Sequence, residues 1–347
     1  MIEKPEIKSM NLTELTEFVV GLGEKPFRAK QIYQWMHQKL VESIDEMTNL
    51  SIGFRETLKQ ECVYTVLKQA DAQTSALDGT KKYLFLLEDG NVVESVLMRY
   101  KYGNSVCISS QAGCRMGCKF CASAIGGLKR NLLPSEMLEQ VYRIQKETGE
   151  RVSNVVVMGT GEPLDNYDNL LRFLTLISDE RGLNIGQRNL TVSTCGIAPN
   201  IHKLAEEKLQ ITLALSLHAS SQAKRKELMP IAAEYDIYEV IGACQSYFEQ
   251  TGRRITFEYS LAAGVNDTQE DANDLAELIS GMNCHVNLIP MNPVRERDYT
   301  ATDQASANAF RQKLEQKGIT VTVRRELGRD IDAACGQLRR RHLGNEG

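Results

Sequence analysis

No stretch of the 347-residue chain approaches the roughly 18 consecutive apolar residues that a membrane span needs. Its first ten residues, MIEKPEIKSM, carry charges where a secretory signal would be apolar, so a cytoplasmic, soluble protein is expected. Basic residues are not in excess either: 41 Lys and Arg stand against 45 Asp and Glu, for a net charge of −4. No global positive field draws in a polyanion, and a nucleic-acid partner would have to be met by a local patch. Such patches are offered by Arg115, Lys119, Lys129 and Arg130, and by Arg324, Arg325, Arg329, Arg339, Arg340 and Arg341. Nine cysteines are too few, too unevenly spaced and of the wrong parity for a secreted disulfide framework, which leaves thiol chemistry or metal binding. Internal repeats, low-complexity tracts and long linkers are also missing.

The hydrophobic period changes once along the chain. From Asn11 to about Lys59 it is helical: Leu12, Leu15, Val19 and Leu22 form one stripe behind an Asn11 N-cap, and Phe27, Ile32, Trp35 and Met36 continue a core-facing set. Residues 1–75 are therefore expected to form a small helical accessory domain. A hairpin over 76–103 follows, with KKYLFLLE and NVVESVLM flanking Asp89-Gly90. Strands and helices then alternate through NSVCISS, SNVVVMG, RNLTVST, QITLALSLH, RITFEYSL and HVNLIPMN to a last apolar segment, ITVTVRRE. Alternation of this kind predicts an α/β fold with a parallel sheet, and six units predict a partial (βα)6 barrel over 104–347.

One loop carries a distinctive spacing, Cys114-Arg-Met-Gly-Cys118-Lys-Phe-Cys121. Three thiolates within eight residues can hold a cubane cluster while leaving its fourth iron open. The C-x3-C-x2-C run resembles that of the radical S-adenosylmethionine (SAM) superfamily, in which the open iron is chelated by SAM. A zinc site completed by Cys107 is the competing reading, although structural zinc usually takes paired C-x2-C knuckles. An iron–sulfur electron carrier and a zinc-stabilised RNA-binding module are the alternatives of other classes. If the strands are as read, the cysteine loop, Gly159-Thr160-Gly161-Glu162-Pro163, Ser193, Ser216-Leu217-His218 and Asn292 all fall at strand C-terminal ends, the face where parallel α/β barrels build their sites.

The stretches CISSQAGCRMGCKFCAS, VVVMGTGEPLDN, LTVSTCGI, ALSLHA, HVNLIPMNP and RDIDAACGQLRR resemble the RlmN/Cfr family of RNA methyltransferases across essentially the whole chain. Pro163 after the Gly-Glu pair favours the branch that methylates adenine C2 over the C8, antibiotic-resistance branch. The resemblance implies a [4Fe–4S] cluster on Cys114, Cys118 and Cys121, and two SAM molecules per turnover bound by Gly161, Glu162, Ser193, Ser216, Leu217, His218 and Asn292. Its implied substrates are an adenine of the peptidyl transferase centre in 23S rRNA and the adenine 3′ of the anticodon in tRNA. It makes Cys335 the methyl carrier, Cys107 the thiol that resolves the covalent RNA adduct by forming a disulfide, and Glu94 a proton acceptor. A one-electron reductant such as flavodoxin or ferredoxin would feed the cluster, and the protein would act as a monomer. Cys62, Cys195, Cys244 and Cys284 match no role and are read as structural.

Overall fold

The computed structural model describes residues 4–291, 299–325, 327–331 and 336–345. The helical period at the N-terminus folds as α1 (Leu12–Gly21), α2 (Phe27–His37) and α3 (Ile52–Glu61). Asn11 caps α1 as expected: its side chain accepts from Glu14 N–H at 2.9 Å while Glu14 accepts from Asn11 N–H at 2.9 Å, so two end donors are satisfied reciprocally. Phe27 departs from the expected core-facing set and is 48% exposed. It is the first residue of its helix, where the apolar stripe has not yet turned toward the core.

This helical layer shares its core with the barrel. Ile7, Leu15, Ile32 and Met36 belong to the same apolar cluster as Leu138 and Val141. A buried ion pair fixes the register, with Lys8 Nζ 2.7 Å from Glu139 and also donating to Thr65 O at 2.6 Å. A buried lysine is tolerable only when paired and hydrogen-bonded in this way.

Three antiparallel strands come next: β1 (Lys68–Thr74), β2 (Lys81–Leu86) and β3 (Val92–Tyr100). β1 lies inside the segment read as helical, and all three join the main sheet rather than standing apart as a hairpin. β3 pairs antiparallel with β4 (Gly103–Ile108). A short hairpin of β5 (Gln111–Gly113) and β6 (Leu128–Asn131) then leads into α4 (Pro134–Thr148).

The strand–helix units follow in order: β7 (Val152–Val157), α5 (Tyr167–Ser178), β8 (Leu190–Thr194), α6 (Ala198–Glu206), β9 (Thr212–Ser216), α7 (Gln222–Leu228) and α8 (Ile237–Thr251). They continue with β10 (Ile255–Leu261), α9 (Gln269–Leu278), β11 (Cys284–Pro290), α10 (Gln304–Gln316), β12 (Thr320–Val323) and the terminal α11 (Gln337–Asn345). From β4 through β7 to β12 every neighbouring pair is parallel, and the ten-stranded sheet ends at β1 and β12 among the described residues. The parallel part is the expected six-unit partial barrel, extended at one edge by β1–β3. No helix among the described residues is long and apolar enough to cross a membrane.

Candidate active site

The β5–β6 hairpin frames the cysteine loop. Cys114 N–H donates to Gly127 O at 3.2 Å, and a Cβ at Gly113 would lie 2.0 Å from that same oxygen, so only glycine fits there. Cys114, Cys118 and Cys121 line a cavity of about 260 Å³ at the C-terminal ends of the parallel strands. Gly161, Glu162, Ser193, Ser216 and His218 line the same cavity. Leu217 does not: its side chain is in the apolar core and its N–H donates to Glu258 O at 3.0 Å, leaving only main chain to offer. Asn292 and Cys335 lie outside the described residues.

The polar wall is held in place by main-chain groups. Glu162 is buried and accepts from Leu164 N–H at 3.0 Å with one oxygen and from Cys195 N–H at 2.7 Å with the other. Burial raises its carboxyl above the usual carboxylate range and these donors offset that only in part, so a cationic group brought beside it would favour the carboxylate form, which has lone pairs left to accept from that group. His218 sits at φ +54°, a left-handed backbone uncommon outside glycine, with its carbonyl held by Asn266 Nδ2 at 2.8 Å. Its Nδ1 accepts from Ser260 N–H at 3.0 Å, which places the ring proton on Nε2. Burial, followed by the charge of Arg225, lowers this imidazole to about 3, so it is a neutral donor across the physiological range. Ser193 and Ser216 are within hydrogen-bond distance, 3.2 Å between hydroxyl oxygens.

Four further residues enter the site, three of them without having been read from the sequence and Arg324 read only as part of a basic patch. Glu258 and Ser260 line the cavity from alternate positions of β10, and polar residues alternating within the apolar run RITFEYSL were the available signal. Arg324 lines it from beyond β12. Arg225 is 0% exposed and donates from Nη2 to Cys195 O at 2.6 Å, while its Nε and Nη1 have no hydrogen-bond partner among the described residues. Cys195, read as purely structural, thus lines the cavity and links Glu162 to Arg225 through its main chain.

Residues 6–63 match the family model of the ribosomal RNA large subunit methyltransferase N-terminal domain, and residues 108–279 match that of the radical SAM superfamily. A probable dual-specificity RNA methyltransferase RlmN from Lachnospira eligens is 62% identical over 338 residues, 97% of each chain. The chain belongs to the RlmN family of radical SAM enzymes. Its counterpart from Lachnoclostridium phytofermentans is 57% identical over 97% of this chain and 95% of that one. A crystal structure of a radical SAM methyltransferase from Sphaerobacter thermophilus matches with a TM-score of 0.92 and 42% identity, covering 96% of this chain and 98% of the other.

The cofactors of the RlmN family are a [4Fe–4S] cluster and SAM, and the site fits both. Burial, and then the neighbouring thiol Cys121, push the Cys114 thiol up to about 12, and burial raises Cys118 likewise. Three such thiols become thiolates together only against compensating positive charge, which iron supplies. The guanidinium of Arg225, hydrogen-bonded through Nη2 alone among the described residues and with a charge that acts on Cys118 and Cys195, is a second compensating charge beside the thiols. Among the described residues no three His, Cys, Asp or Glu side chains converge on one ion position. A tetrahedral zinc would need sulfurs about 3.8 Å apart, whereas a cubane gives each thiol its own iron and a wider spacing.

Cys107 and Glu94 lie off the cavity on a neighbouring face of the sheet. Cys107 pairs with Val96 across β3–β4, opposite in facing to the buried Val106 and Ile108. Glu94, two residues from Val96 on the same strand, is its diagonal neighbour on that face, a separation of roughly 7–8 Å. The Glu94 carboxylate accepts from Gly336 N–H at 2.5 Å and Arg339 N–H at 2.6 Å, and stands 3.1 Å from Lys82 Nζ. Gly336 is the residue that follows Cys335 in the chain.

Proposed function

We propose that this protein methylates C2 of an adenine in 23S rRNA and in tRNA, using a methylated cysteine and a covalent RNA adduct. The observation that carries the reading is the convergence of Cys114, Cys118, Cys121, Glu162, Ser216 and His218 on one cavity, in a chain alike over its whole length to proteins called dual-specificity RNA methyltransferases. Cys114, Cys118 and Cys121 would hold the cluster, which when bound and reduced would supply the electron that cleaves SAM to a 5′-deoxyadenosyl radical. The chain supplies the rest. Glu162 receives the amino group of SAM, the His218 Nε2–H donates to its adenosyl portion, and Ser193 and Ser216 complete the polar wall. Adenine C2 lies between two ring nitrogens and is too electron-poor to attack a sulfonium methyl, so the thiolate of Cys335 takes the methyl first. The 5′-deoxyadenosyl radical would take a hydrogen atom from the S-methyl group, the methylene radical so formed would add to C2, and the unpaired electron of the adduct would return to the oxidised cluster; Cys107 accepts the ring proton of the adduct and then attacks the Cys335 sulfur. The S–S bond forms, the S–C bond breaks with its electron pair staying on carbon, and the proton leaving Cys107 ends on that carbon to complete the methyl group. Cys107 takes the proton because the Glu94 oxygens already serve three donors.

The RNA is expected on the arginine-rich rim beside the cavity. Arg115 and Arg130, in the first basic patch, are engaged within the protein: Arg115 Nε donates to Asp165 at 3.0 Å, and Arg130 makes a bidentate pair with Glu136 at 2.7 and 2.8 Å and donates from Nε to Asp89. Arg311, Arg324, Arg325 and Arg329 line one hollow of about 560 Å³, and Arg324 also lines the catalytic cavity. Phosphates seated there would lead the strand to the mouth of the site. Replacing Arg325 and Arg329 by Ala should make log Kd against log salt shallower by about 1 to 2, at about 0.7–0.9 for each phosphate no longer neutralised, with uncoupled SAM cleavage retained. A slope equal to that of the parent protein would move the RNA elsewhere.

We further place the enzyme in the cytoplasm as a monomer drawing single electrons from a flavodoxin- or ferredoxin-class donor. The decisive test of function is mass spectrometry of nucleosides from a deletion strain. 2-Methyladenosine should vanish from both rRNA and tRNA and return with the gene on a plasmid; 8-methyladenosine as the restored product would assign the C8 branch instead.

A further inference from the structure

The described residues on either side of 332–335, the stretch that includes Cys335, are bonded to the antiparallel extension β1–β3. Before it, Ser75 Oγ donates to Asp330 at 2.6 Å, Ala76 N–H to Asp330 at 2.8 Å, and Gly328 N–H to Asp78 at 2.9 Å. Ser75, Ala76 and Asp78 form the turn between β1 and β2. After it, Glu94 on β3 accepts the N–H groups of Gly336 and Arg339, which are main-chain donors at the start of α11. Leu338, between those two donors, is buried in one small apolar cluster with Leu84 of β2 and Val92 of β3.

The inner tie is built from groups that are costly to bury. The Lys82 and Glu94 side chains are 0% and 4% exposed, and a buried charge persists only where a partner and hydrogen bonds satisfy it. Gly336 completes the tie from the other side. Its φ is +83°, and a Cβ there would fall 2.7 Å from Ser123 N and 2.9 Å from the Ala122 carbonyl carbon. Ala122 and Ser123 directly follow the third cluster ligand, Cys121. Gly336 is therefore wedged between Glu94 and the cluster loop. Only five residues lie between Asp330 and Gly336, six Cα steps or a contour of about 20 Å, so the two ties bracket one short span.

We propose that β1–β3 is a two-point clasp for the methyl-carrier segment, in which Glu94 and Lys82 are positioning residues that seat the chain beside Cys335 against the cluster loop. The clasp rests on the reading of Cys335 as carrier, and its physical part can be measured without that reading. In the full-length, cluster-loaded enzyme, Glu94→Gln and Lys82→Met should raise amide exchange across Gly336–Arg339 at least tenfold. They should also slow methylation of Cys335, followed by mass spectrometry with SAM and no RNA, by at least tenfold more than they slow SAM cleavage. Glu94→Asp should recover part of both losses. Because a buried substitution can unfold a protein, Ser75→Ala with Asp330→Asn tests the outer tie at a surface turn and should give a smaller change of the same sign in both readouts.

A proton acceptor acts only after the adduct has formed. If Glu94→Gln methylates Cys335 at the parental rate and accumulates RNA adduct, Glu94 is the base and the clasp is overturned. Parental exchange rates at Gly336–Arg339 in both variant sets would overturn it equally. Failure of the carrier reading looks different: Cys335 would remain unmethylated in the parent enzyme while the exchange differences persisted.

Discussion

Cys107→Ala is expected to leave the enzyme covalently trapped on its RNA. The carrier is intact in this variant, so Cys335 is methylated and the methylene bridge to adenine forms, but the thiol that would break the S–C bond is gone. Turnover should be lost completely. The product to look for is a protein–RNA band that survives denaturation and, after RNase digestion, retains a nucleotide mass on the peptide containing Cys335. Cys335→Ala should behave oppositely, with no protein-bound methyl, no adduct and no modified RNA, even where SAM is still cleaved. The geometry favours this pairing: Gly336, next to Cys335, bonds to Glu94, and Glu94 is the diagonal neighbour of Cys107 on the same sheet face. Methylated RNA released at the parental rate by Cys107→Ala would remove Cys107 from the mechanism.

Replacement of any one of Cys114, Cys118 or Cys121 by Ala is expected to abolish reductive SAM cleavage. Each thiol lines the same cavity wall and would hold its own iron, so no neighbouring side chain can substitute. Iron and sulfide content should fall with cleavage, measured as 5′-deoxyadenosine formed after anaerobic reduction. Cys244→Ser is the control, since Cys244 is fully buried in the apolar core and distant in role from the cavity. A cluster-ligand variant that kept full iron content and full cleavage would refute the site; an unchanged zinc content with no iron in the parent would restore the zinc reading.

The cluster ligands were legible because their chemistry is local: three thiols in eight residues hold one corner of a cubane whatever surrounds them. The parallel sheet was legible for a related reason, since strand and helix periods of 2 and 3.6 are set by backbone geometry within each segment. Placing Gly161, Glu162, Ser193, Ser216 and His218 at strand ends then followed from topology alone, and all five line the cavity.

What the sequence could not decide is which distant groups meet. Arg130 reads as part of a basic patch until Asp89 and Glu136 are seen beside it. Arg225 reads as one charge in the surface-like run QAKRKEL, yet it is wholly buried beside the cluster thiols. Glu94 reads as an edge-strand glutamate or a base, and its partners Gly336 and Arg339 lie more than 240 positions away. Periodicity and spacing report on the turn or strand a residue occupies, over a few residues. The pairing of a buried charge is set by the closing of the sheet and the return of the C-terminal segment across it, so only the tertiary structure determines whether such a residue binds, catalyses or holds another in place.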